Sequence, residues 1–209
     1  MTTETLGNGN PWIPGRPPTT ENATVAPPVA PANRILGSVR PQPGAVPPPA
    51  YGGLPISAVP TPPAPGWLWL GVHGGAGVTT LQSAVPGGRD AGRLWPAPYG
   101  AITHPVVLVC RSSYGGLMAA RAAIVQWASG QVPGIELLGL VVVADAPGKL
   151  PRPLRDLMRL VAGGVARTWS VQWMEEWRLG EPPMNHPTRE LTAFGRELAR
   201  LTEKRDHHV

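Results

Sequence analysis

Three apolar runs constrain this chain more than any other feature. Trp67-Leu68-Trp69-Leu70-Gly71-Val72, Val106-Val107-Leu108-Val109-Cys110 and Leu137 to Ala144, the last broken only by Gly139, contain no charged residue. Each is far shorter than the roughly 20 residues that cross a bilayer. A strand that covers a core on one side alternates apolar with polar residues. A strand apolar throughout suits a parallel sheet whose two faces are both covered by helices. Between the second and third runs, Leu117, Ala120, Ile124 and Trp127 recur at helical spacing within Leu117 to Ser129. Strand, helix, strand in that order favours a parallel crossover. The expected fold class is α/β, with a small, mostly parallel sheet and flanking helices.

Composition divides the chain. It has 28 prolines and 26 glycines in 209 residues, a proportion at the edge of disorder. Seventeen of those prolines fall in residues 1–66, in clusters such as Pro47-Pro48-Pro49 and Pro62-Pro63. Proline removes backbone donors and biases its predecessor toward extended conformations. A segment of this kind buries too little apolar surface to offset its ordering entropy. Residues 1–66 are therefore expected to be a disordered, Pro-rich tail, with Ile35-Leu36-Gly37 and Tyr51-Gly52-Gly53-Leu54 as candidate docking motifs. Residues 67–183 are expected to form the α/β domain, and 184–209 a C-terminal helix and tail.

The single cysteine, Cys110, excludes a disulfide framework. Net charge is +5, carried by 16 arginines and only two lysines, Lys149 and Lys204. Met1 to Gly7 lacks the charged and apolar regions of an export signal, so a soluble, cytoplasmic chain is expected. Further along, Leu154, Leu157, Met158 and Val161 form the apolar stripe of a helix over 151–162, with Arg152, Arg155 and Arg159 on another face. Val165 to Val171 reads as a fourth strand. Leu191, Phe194, Leu198 and Leu201 give a final helix over 188–202, which docks on its own domain or pairs with a second copy.

The first run is followed by Val72-His73-Gly74-Gly75-Ala76-Gly77-Val78-Thr79-Thr80-Leu81. Strand, glycine loop and helix start form the setting of a phosphate cradle. The stretch resembles the deviant phosphate loop of the MinD/ParA family of P-loop ATPases, Lys-Gly-Gly-x-Gly-Lys-Thr-Thr, at Gly74, Gly75, Gly77, Thr79 and Thr80. By that resemblance Thr79 holds the magnesium-binding hydroxyl. His73 replaces the signature lysine, and Val78 the lysine that contacts the β- and γ-phosphates. That ammonium offsets charge on the transferring group, and valine supplies neither charge nor donor. The family also expects a Walker B strand and an aspartate-bearing switch segment, whereas Thr80 to His104 contains only Asp90. The resemblance implies a shortened P-loop-like fold without hydrolysis, binding ATP and magnesium weakly or not at all. Residues 66–181 are also similar to uncharacterised actinobacterial proteins that share the Gly-Gly-Ala-Gly loop, the Asp145-Ala146-Pro147-Gly148 turn and the Trp177-to-Pro183 ending. That group tends to occur near conjugation or secretion genes. Asp145 is either a magnesium-holding Walker B residue or part of an ordinary strand-end turn.

A second reading rests on Cys110-Arg111-Ser112-Ser113-Tyr114-Gly115-Gly116, which resembles the nucleophile elbow of α/β-hydrolases. Ser113 would be the nucleophile, Asp145 or Asp156 the acid, His186 the base, and His73-Gly74-Gly75 the oxyanion segment. Arg111 occupies the first glycine position of that elbow, and Ser112 and Ser113 also suit a helix N-cap. Trp169, Trp173 and Trp177 recur every four residues; on a helix they would form one face, but the stretch straddles the expected end of a strand, and such a stripe is more often core. The five histidines show no metal spacing, and no sequence-specific DNA-binding motif is present. The functional expectation is a non-catalytic scaffold or regulator that needs no cofactor and acts on a protein partner, with a homodimer also open. Serine hydrolysis or weak, atypical ATPase activity is the alternative.

Overall fold

The computed structural model describes residues 44, 46–57, 66–97, 103–186 and 188–206, with side chains of the last helix as far as Glu203. Most of the Pro-rich segment, the Ile35-Leu36-Gly37 motif, the Lys204 side chain and His207-His208 lie outside the described residues. In chain order the elements are β1 (Ile56–Ser57), β2 (Trp67–Gly71), α1 (Val78–Ala84), β3 (Gly88–Asp90), β4 (Trp95–Pro96), β5 (His104–Arg111), α2 (Tyr114–Ala128), β6 (Ile135–Val143), α3 (Arg152–Ala162), β7 (Thr168–Val171), α4 (Glu175–Arg178), a 3-10 turn at Pro183–Asn185, and α5 (Arg189–Asp206).

The three apolar runs become β2, β5 and β6, buried on both faces. They form a five-stranded sheet in the order β3-β2-β5-β6-β7, with every pairing parallel. Alternate residues feed two cores. Leu68, Leu70, Val106, Leu108 and Cys110 face α2 and α3, joined by Leu117, Ile124 and Leu157. Trp67, Trp69, Val107 and Val109 face the other way, joined by Leu81 of α1 and by Leu191, Phe194 and Leu198 of α5. The stripe of α5 thus lies in its own domain's core, and residues 189–203 are part of the same unit rather than a separate segment.

One irregularity keeps β6 in step. Its pairing with β5 shifts between Val106 and Val107, which face Leu137 and Gly139. Leu138 is the extra residue of a bulge. Without it, every residue beyond would turn to the opposite face. With it, Leu140 and Val142 rejoin the α2 side while Val141 and Val143 face α5. Gly139 follows because a Cβ there would press on the Arg167 carbonyl and the Trp169 ring, each 2.5 Å away.

Several expectations are corrected. The stretch 46–57, assigned to the disordered tail 1–66, carries a core residue. Leu54 is buried against α2, and Gln126 clamps it, accepting from Leu54 N (2.8 Å) and donating to Leu54 O (2.9 Å). The same amide oxygen accepts from the Trp95 indole at 2.8 Å. β1 then pairs with β4 in a separate two-stranded parallel ribbon. Gly88–Asp90, read from sequence only as a short interval, forms the edge strand β3 beside β2. It can do so because Gly88 has no side chain to strike the indole nitrogens of Trp67 and Trp69. Trp169, Trp173 and Trp177 do straddle a strand end and form no single helix face. They lie on β7, in the following loop and on α4, and Trp169 packs on Phe194 with ring centroids 5.0 Å apart.

Candidate functional site

β3 lies on one side of β2 and all later sheet strands on the other. The order of the sheet therefore reverses between β2 and β5, and open parallel sheets place ligands at the carboxyl ends of strands beside such a reversal. The two segments there are the glycine loop Val72–Gly77 and the turn Arg111–Ser113. Val72 N donates to Val109 O at 3.0 Å and Gly71 N to Gly92 O at 2.9 Å, so the loop leaves from a fixed strand end. Gly77 is the N-cap of α1 with φ 101. A Cβ at Gly77 would meet nothing closer than 3.6 Å, so the left-handed backbone, not lack of space, selects glycine there.

The loop is held from inside the protein. Arg111, the last residue of β5, reaches back with Nε donating to Gly75 O (3.1 Å) and Nη1 to Ala144 O (2.9 Å). His73 completes the staple. Its Nε2 accepts from Arg111 N at 3.0 Å, and its Nδ1 lies 2.8 Å from Gly74 O. The acceptor role at Nε2 places the ring proton on Nδ1, which donates to Gly74 O. His73, at the signature-lysine position, is therefore turned onto its own chain. Gly116 makes room for the ring, because a Cβ there would stand 3.0 Å from His73 Nε2 and closer still to the Arg111 carbonyl.

Val78, at the position of the phosphate-contacting lysine, is buried, and its Cγ2 lies 3.2 Å from where a Gly71 Cβ would be. That position looks into the core rather than over the loop. Thr79 is exposed and Thr80 half-buried. Among the described residues the cation that reaches the glycines is the Arg111 guanidinium. Sequence reading placed Arg111 only as a departure from the hydrolase pattern. Its partners Gly75 and Ala144 are 36 and 33 positions away, beyond the reach of local pattern.

The candidate triad is not assembled. Ser113 Oγ accepts from Gly116 N at 3.3 Å as the N-cap of α2. Ser112, buried, accepts from Asp145 N at 3.0 Å and so ties the ends of β5 and β6 together. Asp145 is exposed in the turn after β6. Asp156 pairs with Arg152 and Arg159 on the surface of α3. His186 Nε2 lies 2.5 Å from Glu181 Oε2, just after a turn that packs on α1. Among the described residues no hydrogen bond joins Ser113 to His186. Asp90, at the end of β3, accepts from Gly92 N at 2.6 Å. Cys110 is fully buried, and that burial pushes its thiol up to about 12, far from a reactive thiolate. Among the described residues no three His, Cys, Asp or Glu side chains gather as a metal set, and no helix is long and apolar enough to cross a membrane.

Open space lies farther along the same edge. A cavity of about 550 Å³ sits at the ends of β6 and β7, floored by Val142, Val171 and Met158 and rimmed by Ser113, Asp145 and Lys149. A smaller one, of about 250 Å³, lies between Gly77, Thr80, Arg111 and α4.

The parallel sheet, the strand–glycine loop–helix unit and the edge cavities define an α/β domain whose carboxyl edge is partly filled by its own side chains. Residues 66–192 match a family of unknown function, DUF6668, and the chain belongs to that family. Neither the curated proteins nor the solved structures give a match.

Proposed function

We propose that this domain is a non-hydrolysing relative of the MinD/ParA-like P-loop proteins, working as a scaffold or regulator through protein contacts. The observation that carries the reading is the direction of position 78. A lysine at that position serves catalysis only if its ammonium reaches the phosphates, and here the side chain is buried beneath the loop. The staple supports the same view. His73 and Arg111 engage each other and the loop carbonyls. Asp90, at the end of edge strand β3, has one carboxylate oxygen engaged by Gly92 N. By the resemblance magnesium would meet the Thr79 hydroxyl at the start of α1, and no cofactor is needed for the proposed role. The apolar stripe of α5 is covered by its own sheet, so a homodimer would use another surface. The resemblance to proteins encoded near conjugation or secretion genes directs the search for a protein partner to such an apparatus.

The test is phosphate release from ATP with magnesium, together with titration of a fluorescent ATP analogue. The proposal expects no turnover above background. Turnover at an ordinary enzymatic rate, abolished by a change at Thr79, would overturn it. The hydrolase alternative is read with a p-nitrophenyl ester, where Ser113→Ala is expected to leave the background rate unchanged.

A further inference from the structure

We infer that the outer edge of β7 is a docking site for an extended, acidic segment of a partner protein, which adds to the sheet as a further strand. The inference rests on the protein-contact half of the reading above and not on the fate of ATP. β7 is the last strand of the sheet and pairs with β6 alone. Arg167 O and Val171 O accept from Leu140 N and Ala144 N. Strand alternation then turns the backbone groups of Thr168 and Ser170 away from β6. Among the described residues no loop or neighbouring strand takes them up. Ser170 and the following Gln172 are exposed. The opposite edge of the sheet is guarded. β3 carries Arg89 and Asp90, and Gln82 Oε1 accepts from Asp90 N at 3.1 Å. Charges and covered donors are the usual means of blunting an edge. β7, with the sequence Thr168-Trp169-Ser170-Val171, has neither.

Space for side chains lies on both faces of that edge. The cavity of about 550 Å³ is on the α3 side and another, of about 410 Å³, on the α5 side; Ser170, Val171 and Gln172 border both. Successive residues of an added strand point to opposite faces, so alternate side chains enter each cavity. The two cavities ask for different chemistry. Met174, Leu191 and Phe194 line the α5 side, where the charged lining residue is Glu190. That side takes apolar residues. On the α3 side Lys149 and Arg155 stand against Asp145. Arg155 makes no ion pair among the described residues, and on the same helix Arg152 and Arg159 share one acid, Asp156. That side takes acidic residues. The same charge argues against a second copy of β7 as the occupant. Two copies joined edge to edge, antiparallel, about a two-fold axis normal to the sheet would set α3 beside α3 and arginine against arginine. The occupant is therefore a different chain, with apolar and acidic residues in alternation.

The full chain is titrated with the synthetic peptide acetyl-Val-Glu-Val-Glu-Val-Glu-amide and with its Val-Lys counterpart. The readouts are tryptophan fluorescence and amide hydrogen exchange. Saturable binding of the glutamate peptide is expected, with slower exchange at the Thr168 and Ser170 N–H groups and about tenfold weaker binding of the lysine peptide. Ser170→Pro removes an outward N–H at a position where an edge strand tolerates proline, and is expected to weaken binding about tenfold or more. Arg155→Glu, at an exposed position, is expected to reverse the preference between the two peptides. Absence of saturation up to about 10 mM peptide, some tenfold above a millimolar Kd, overturns the proposal. So does binding that leaves exchange in β7 unchanged, or that Ser170→Pro leaves intact while its melting curve matches the wild type. Where Ser170→Pro melts early, Arg155→Glu decides, and an unaltered preference overturns the proposal. Sedimentation of the chain alone is the last arm. A dimer that slows exchange at the same amides gives the edge to a second copy and overturns the acidic partner. Failure of the non-hydrolysing reading shows separately, as phosphate release from ATP.

Discussion

The carboxyl edge of the sheet has two unlike halves. Between β2 and β5, where the strand order reverses, Arg111 and His73 fill the space and bind the loop carbonyls. Beside β6 and β7 a cavity of about 550 Å³ remains open, and a smaller one of about 250 Å³ reaches back to Gly77 and Thr80. The fold rule points to the half at the reversal, yet the larger open space lies in the other. A glycine loop in its expected place is therefore no sign that its ligand binds there. What decides is whether neighbouring strands send side chains into it.

The comparison is easiest to break at position 78. Val78→Lys restores the family's residue, but the side chain enters the core. We expect a loss of about 3 kcal/mol or more, the scale for burying an unpartnered polar group, measured as a lower denaturant midpoint with no gain in ATP turnover. A stable, ATP-cleaving Val78→Lys would show that the loop half is open after all. Arg111→Ala removes the staple and leaves the Gly75 and Ala144 carbonyls without their donor. The expected cost is about 2–3 kcal/mol, with faster amide exchange over 73–77 and little change in β7.

The buried thiol between the halves gives a pH test. The Cys110 pKa lies at about 12 in the folded protein against an ordinary 9.0. Above pH 9 the unfolded chain loses this proton first, so stability falls as pH rises toward 12, at up to about 1.4 kcal/mol per pH unit. Cys110→Ala is expected to flatten that part of the urea-midpoint profile. His73→Ala, which leaves the Arg111 N–H without its acceptor, should cost about 1–2 kcal/mol. Arg155→Ala bounds the series from below. Arg155 rims the larger cavity, is exposed and makes no ion pair among the described residues, so a change within about 0.5 kcal/mol is expected.

The sequence showed the sheet's centre well, because Val, Leu and Trp runs with nothing polar in them suit only doubly covered strands. It showed α3 and α5 from their stripes, each within a few residues of its observed ends. It hid β1, β3 and β4, which are two or three residues long, too short for periodicity to mark them, and β3 and β4 also contain Gly, Asp or Pro. The glycine loop was legible as a local pattern. The residues that close it were not, since a contact across 36 positions leaves no trace in spacing. Leu54 stood out only as part of a candidate docking motif in a tail-like stretch, and the surface it docks on, the Gln126 amide of its own domain, lies 72 positions away.

That clamp has a practical side. The family match begins at residue 66, twelve positions after Leu54, so the fragment one would naturally clone omits the plug. Trimmed at that point, the domain would show water an apolar hole over α2. Gln126 would lose its backbone partners, and the Trp95 indole would remain its sole bond. A sticky, poorly behaved fragment would then reflect where the scissors fell and not the worth of the fold.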